Sequence, residues 1–212
     1  MGNHHHGSAE GVFEGQSVGY KRVLWLVIAV NGAMFAIEMA AGAFADSRAL
    51  QADALDFLGD TATYAITLLA IGASLHTRAS VALVKGISLA ALGLWVLGTT
   101  AYEAVAPGLP KAEVMGIVGF LALAANLASV LLLLRYRAGD ANVRSVWLCS
   151  RNDAIGNVAV VIAAGAVWLF GSAWPDLVVA AMISSLFLWS AASITRQAVG
   201  ELRRSSIQRD PD

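Results

Sequence analysis

Six apolar runs are spaced along the chain, near 23–44, 49–74, 86–105, 114–134, 146–170 and 176–195. As helices rising ~1.5 Å per residue, each is long enough to cross ~30 Å of hydrocarbon. The third and fourth are almost purely apolar, whereas the second and fifth carry the polar residues. The second contains Ala52-Asp53-Ala54-Leu55-Asp56-Phe57-Leu58-Gly59-Asp60, with three carboxylates inside an otherwise membrane-spanning segment. Asp56 and Asp60 are four apart, so a helix places them one above the other on one face. A carboxylate at the centre of a spanning helix costs roughly 2.5–3.5 kcal/mol even on the lenient insertion scale. Such a pair is retained when it faces the bundle interior and holds a cation or a proton, or when a buried Arg or backbone group partners it. The pattern predicts an all-α membrane protein of six transmembrane helices.

The ends are polar. Residues 1–20 read as a disordered tail; its His4-His5-His6 run fits an appended or unstructured segment better than a metal site. No signal peptide precedes the first run. Residues 21–200 form the predicted helical domain. Residues 201–212 are a short cytoplasmic tail, against the ~50 residues at the low end for a soluble domain. Lys and Arg set the orientation. Taking the N-terminal side as inside, eleven fall there: Lys21, Arg22, Arg78, Lys85, Arg135, Arg137, Arg144, Arg196, Arg203, Arg204 and Arg209. Only Arg48 and Lys111 fall outside, and Arg151 lies within the fifth run. Both termini are therefore expected in the cytoplasm, with the chain in the cell's inner (plasma) membrane. Trp174 reads as an interfacial anchor, and Pro175 suits a helical first turn.

Composition agrees: 58% of the 212 residues are hydrophobic and 14% charged, against about 25% charged in soluble domains. The lipid bilayer is thus the first partner. A net charge of −1 gives no sign of a nucleic-acid partner, and Cys149 alone can form no internal disulfide.

Depth decides which polar residues can meet. Asp60 lies about 11 residues into the second helix, roughly 16 Å, and Asp153 about 10 residues into the fifth from the opposite side, roughly 15 Å. Both are near the midplane. Asp56 is one turn outward of Asp60, and Cys149 one turn inward of Asp153. Asp56, Asp60, Cys149 and Asp153 can therefore converge as two i, i+4 pairs, about the number of donors a tetrahedral divalent-metal site needs. The second and fifth helices hold matching places in two inverted three-helix halves, an arrangement many secondary transporters use for binding.

The stretch Ser47-Arg48-Ala49-Leu50-Gln51-Ala52-Asp53-Ala54-Leu55-Asp56, continued to Asp60, resembles the second-helix signature of the cation diffusion facilitator family. Asp153-Ala154-Ile155-Gly156-Asn157 resembles the fifth-helix signature, and Asp176 an Asp opening the sixth helix. Glu38 sits where many members have a polar residue. The resemblance covers about 23–200. It implies a proton-coupled exporter of divalent metal, working as a homodimer, with a midplane site shared by helices two and five. Two features depart from the family. Cys149 stands where members usually have His, and no room is left for the cytoplasmic metal-binding domain that most carry after helix six. A dimer would then be held by the transmembrane helices. Gly86, Ala90 and Gly93 allow close helix approach, either to a second copy or to a neighbour in the same chain.

Around the four candidate ligands, Glu38 and Asp53 either line the outward pathway or are paired structurally. Arg151 either pairs with a carboxylate or snorkels to the cytoplasm, and Asn152 flanks the site beside it. Asn126 and Asn157 are candidate hydrogen-bond supports for the ligands. Cys149 is a ligand or a small packing residue. As a ligand its thiolate favours Zn2+, with Cd2+ as co-substrate; without it Mn2+, Fe2+ or Co2+ become suitable. The metal is cargo, and no cofactor or catalytic residue is expected. A carboxyl away from water favours its neutral form, so metal and protons compete for the same groups, which alternating access turns into antiport. Other classes compete: a non-transporting membrane metal sensor or assembly subunit, and an intramembrane aspartyl protease, whose full Gly-x-Gly-Asp motif is absent around Leu58-Gly59-Asp60.

Overall fold

In the computed structural model, residues 18–69, 75–105, 107–136 and 141–207 are described. They form six helices: α1 (Val18–Ala45), α2 (Arg48–Leu69), α3 (Leu75–Glu103), α4 (Ala112–Leu133), α5 (Ala141–Phe170) and α6 (Trp174–Ile207), with a 3₁₀ turn at Leu134–Tyr136. No strand occurs among the described residues. The His4–His6 run lies outside them, as do most of the expected N-terminal tail and the last residues of the C-terminal one.

Among the described residues, five helices are long and apolar enough to cross a membrane: α1, α4, and the segments Ala79–Glu103, Ser150–Phe170 and Trp174–Arg203 of α3, α5 and α6. The expected six reduce to five on this criterion because α2 carries Arg48, Asp53, Asp56 and Asp60 in its first 13 residues. Its 22 residues still reach roughly 33 Å.

Helix ends differ most from the hydropathy reading in α3 and α6. The third helix begins eleven residues before the apolar run at 86, and the sixth continues well past 195. Hydropathy marks only the lipid-facing length of a helix, not its polar extensions. Lys85 therefore lies inside α3 rather than in a loop.

The main pairings are α1 with α2, α4 with α5, and α3 with α6. Gly86 and Gly93 make the last one possible. A Cβ on Gly86 would fall 2.4 Å from Thr195 Oγ1, and one on Gly93 would fall 2.9 Å from Leu188 Cδ2. These glycines serve packing within the chain, which removes them as candidates for a dimer seam. A shared core of Leu50, Leu55, Val96, Met115, Val160 and Phe187 joins α2 to α6. Large apolar side chains such as Trp95, Phe120, Ile162 and Trp189 face outward, as lipid contact requires.

The far face, opposite Val18, is tied together by polar contacts. Asp46 adopts φ 54 in the α1–α2 turn, a conformation that Asp tolerates better than most residues. Ser47 Oγ accepts from Leu50 N at 3.2 Å and donates to Asp176 Oδ1 at 2.6 Å. Asp176 also accepts from Arg48 N at 2.8 Å and Ala49 N at 3.1 Å. The N–H groups that open α2 are thus satisfied from α6. Arg48 pairs with Glu103 at the end of α3. Lys111 donates to Phe44 O and Ala45 O through its ammonium and backbone, both at 2.9 Å.

Candidate metal site

Below this far-face clasp, α2, α3, α5 and α6 surround a cavity of about 770 Å³. Asp56 and Asp60 of α2 line it, with Asp153 and Asn152 of α5. Helical spacing explains the α2 pair: four residues return the side chain to the same face one turn on. The Asp60 and Asp153 carboxyls lie within hydrogen-bonding reach of each other. Two spans that run in opposite directions therefore each contribute acidic groups to one cavity.

The cavity begins at Asp56 and continues past Asp60 to Thr63 and Ile66 on α2, Ala82 on α3 and Ile194 on α6. All four lie toward the near face, the one carrying Val18. On the far side of Asp56, α2 from Ala49 to Leu55 is buried, its side chains no more than 3% exposed. The acidic cluster thus has packed helix on its far side and cavity on its near side.

Two residues join the site that sequence reasoning had not placed there. Tyr64 is buried and its hydroxyl donates to Asp60. The i, i+4 spacing that linked Asp56 to Asp60 also links Asp60 to Tyr64, so this contact had a signal. Lys85 lines the cavity, donates to Thr63 Oγ1 and brings its positive charge near Asp60. Nothing local in the sequence announced that, because the polar extension of α3 looked like a loop.

The other candidates separate. Glu38 and Asp53 are both buried, do not line the cavity, and lie within hydrogen-bonding reach of each other. Asn157 Nδ2 donates to Asp53 Oδ2 at 2.5 Å, and Asn126 Nδ2 donates to Asn157 Oδ1 at 2.8 Å. The two asparagines thus support Asp53, not the ligand carboxylates expected of them. Arg151 is exposed, donates to Asn152 Oδ1 at 3.2 Å and does not line the cavity. Asp176 is occupied as the cap of α2. Cys149 belongs to α5, but its side chain lies outside the described residues. Among the described residues, no three His, Cys, Asp or Glu side chains are gathered closely enough to form a finished ion cage.

The comparisons with known proteins bear on this arrangement. Residues 24–202 match the cation efflux transmembrane domain. The chain belongs to the cation efflux family. Relatives include the metal cation efflux system protein CzcD of Cupriavidus metallidurans, 26% identical over 183 residues, covering 81% of this chain and 57% of that protein. The cadmium, cobalt and zinc/H(+)-K(+) antiporter of Bacillus velezensis is 26% identical over 200 residues, covering 84% of this chain and 62% of that protein. Its Bacillus subtilis counterpart is 25% identical with the same coverage. The chain thus spans roughly three fifths of the length of these relatives. Family and apolar helices together make this a multi-pass inner-membrane protein.

Proposed function

We propose that this protein is a proton-coupled antiporter that exports divalent transition-metal cations, with Zn2+ favoured and Cd2+ as co-substrate. Asp56, Asp60 and Asp153 supply the ligands, with Cys149 as the fourth. The observation that carries this reading is one cavity wall shared by two acidic residues of α2 and one of α5. Family membership and the metals in the relatives' names support it. Six spanning helices, both termini in the cytoplasm and a homodimer held by transmembrane contacts complete the proposal.

The mechanism follows from competition. With no metal bound, the clustered carboxyls hold protons, because like charges crowded away from water cannot all ionise. A divalent cation displaces those protons. In the arrangement described, the pocket points to the near face, where metal loads. Export then requires the far end of α2 to open and the near end to close.

Proteoliposomes loaded with a metal-sensitive dye test this. Zn2+ flux should rise with an imposed pH gradient and disappear in Asp60→Ala. Flux indifferent to the gradient rules out proton coupling. Zn2+ binding without any flux makes the protein a sensor.

A further inference from the structure

The pair Glu38–Asp53 lies outside the metal cavity, on the far side of Asp56, and the mechanism above does not use it. Glu38 is 0% exposed, and neither of its carboxyl oxygens has a hydrogen-bond donor. Asp53 is 2% exposed and faces it across the α1–α2 contact. The charged groups facing the pair are also acidic: Asp56 acts on Glu38, and Asp153 of α5 lies within electrostatic reach of Asp53. Two ionised carboxylates in this position would repel, and neither could donate a hydrogen bond. One proton between them removes both problems.

The amide chain biases that proton toward Glu38. Asn157 Nδ2 donates to Asp53 Oδ2, and Asn126 orients Asn157. Asp53 is thereby held as the acceptor, and Glu38 is the member left to donate. We infer that Glu38 and Asp53 form a proton-binding site separate from the metal pocket, with one proton carried on Glu38 and shared with Asp53. Its ligand is a proton and not a metal ion. The two oxygens of Glu38 face a single carboxyl and no further donor set, too few ligands for a divalent cation. Lying between the metal cavity and the far face, the site holds a proton that metal loading does not displace directly. Its role in exchange rests on the antiport reading; the presence of the proton does not.

Infrared spectroscopy of the full chain in lipid at neutral pH tests the site. Wild type should show the carbonyl stretch of a protonated carboxylic acid that persists under saturating Zn2+. The band should shift with carbon-13 glutamate labelling. Among the described residues Glu38 is the buried glutamate, Glu103, Glu113 and Glu201 being exposed or half-buried, so the assignment needs no variant. Glu38→Gln should abolish the band while changing Zn2+ affinity by less than the ~10-fold that marks a direct support of metal ligands. A persistent band that shifts only with labelled aspartate overturns the inference, as does a glutamate band erased by Zn2+, which would make the pair a metal site. Failure of Zn2+ to bind wild type defeats the antiport reading alone, since the labelled band can still be read without metal.

Discussion

Asp60 is approached by three groups that act in different ways. The Tyr64 hydroxyl donates to it, the Asp153 carboxyl meets it across the helix contact, and Lys85 brings positive charge. Removing the Tyr64 donor leaves Asp60 less well oriented, so Tyr64→Phe should weaken Zn2+ binding about 10-fold in calorimetry. Lys85 acts oppositely. An ammonium beside the carboxylates repels an incoming cation, and at an effective dielectric near 20 that repulsion is on the order of 1 kcal/mol or more. Lys85→Met should therefore tighten Zn2+ binding by about five-fold or more; weaker binding would make Lys85 a positioning residue. Cys149→Ala should reduce Zn2+ and Cd2+ transport far more than Mn2+ transport, because thiolate selects the softer ions. Equal losses would return Cys149 to packing. The acidic cluster was legible because helical periodicity plus the energetic penalty of charge in lipid singles it out. Lys85 was not, because its role depends on where α3 begins, which hydropathy does not report.

At the scale of the helix, α2 is held at its start by a residue more than a hundred positions away. Asp176 accepts from Ser47 Oγ and from the Arg48 and Ala49 backbones, and so performs from α6 the work of a local cap. Asp176→Ala should lower stability by about 2 kcal/mol in thermal unfolding, the upper end for losing a cap, and leave Zn2+ affinity nearly unchanged. Neither member of this cap was readable from the sequence, because a local pattern does not report which distant group reaches a helix start. The α3–α6 seam was half legible. Gly86 and Gly93 marked a close approach, and only the packed helices decide that α6 fills it.

For the whole molecule, α2 is packed on the far side of Asp56 and the cavity extends to Thr63, Ile66 and Ile194 on the near side, which the proposed antiport would use as its metal-loading state. A thiol at Thr63, introduced by Thr63→Cys in a Cys149→Ser background, should react with a membrane-impermeant reagent from the near face only. Labelling from the far face instead would reverse the assigned direction. The all-helical architecture was legible from six apolar runs, yet α2 falls short of a spanning helix by composition because it carries three aspartates and an arginine. That shortfall reaches back to biosynthesis. A segment with three aspartates partitions poorly into lipid on its own, and its far end is secured only when α6, made well after it, delivers Asp176. During translation α2 therefore waits, shielded by α1 or by the insertion machinery, until α6 has followed it out of the ribosome.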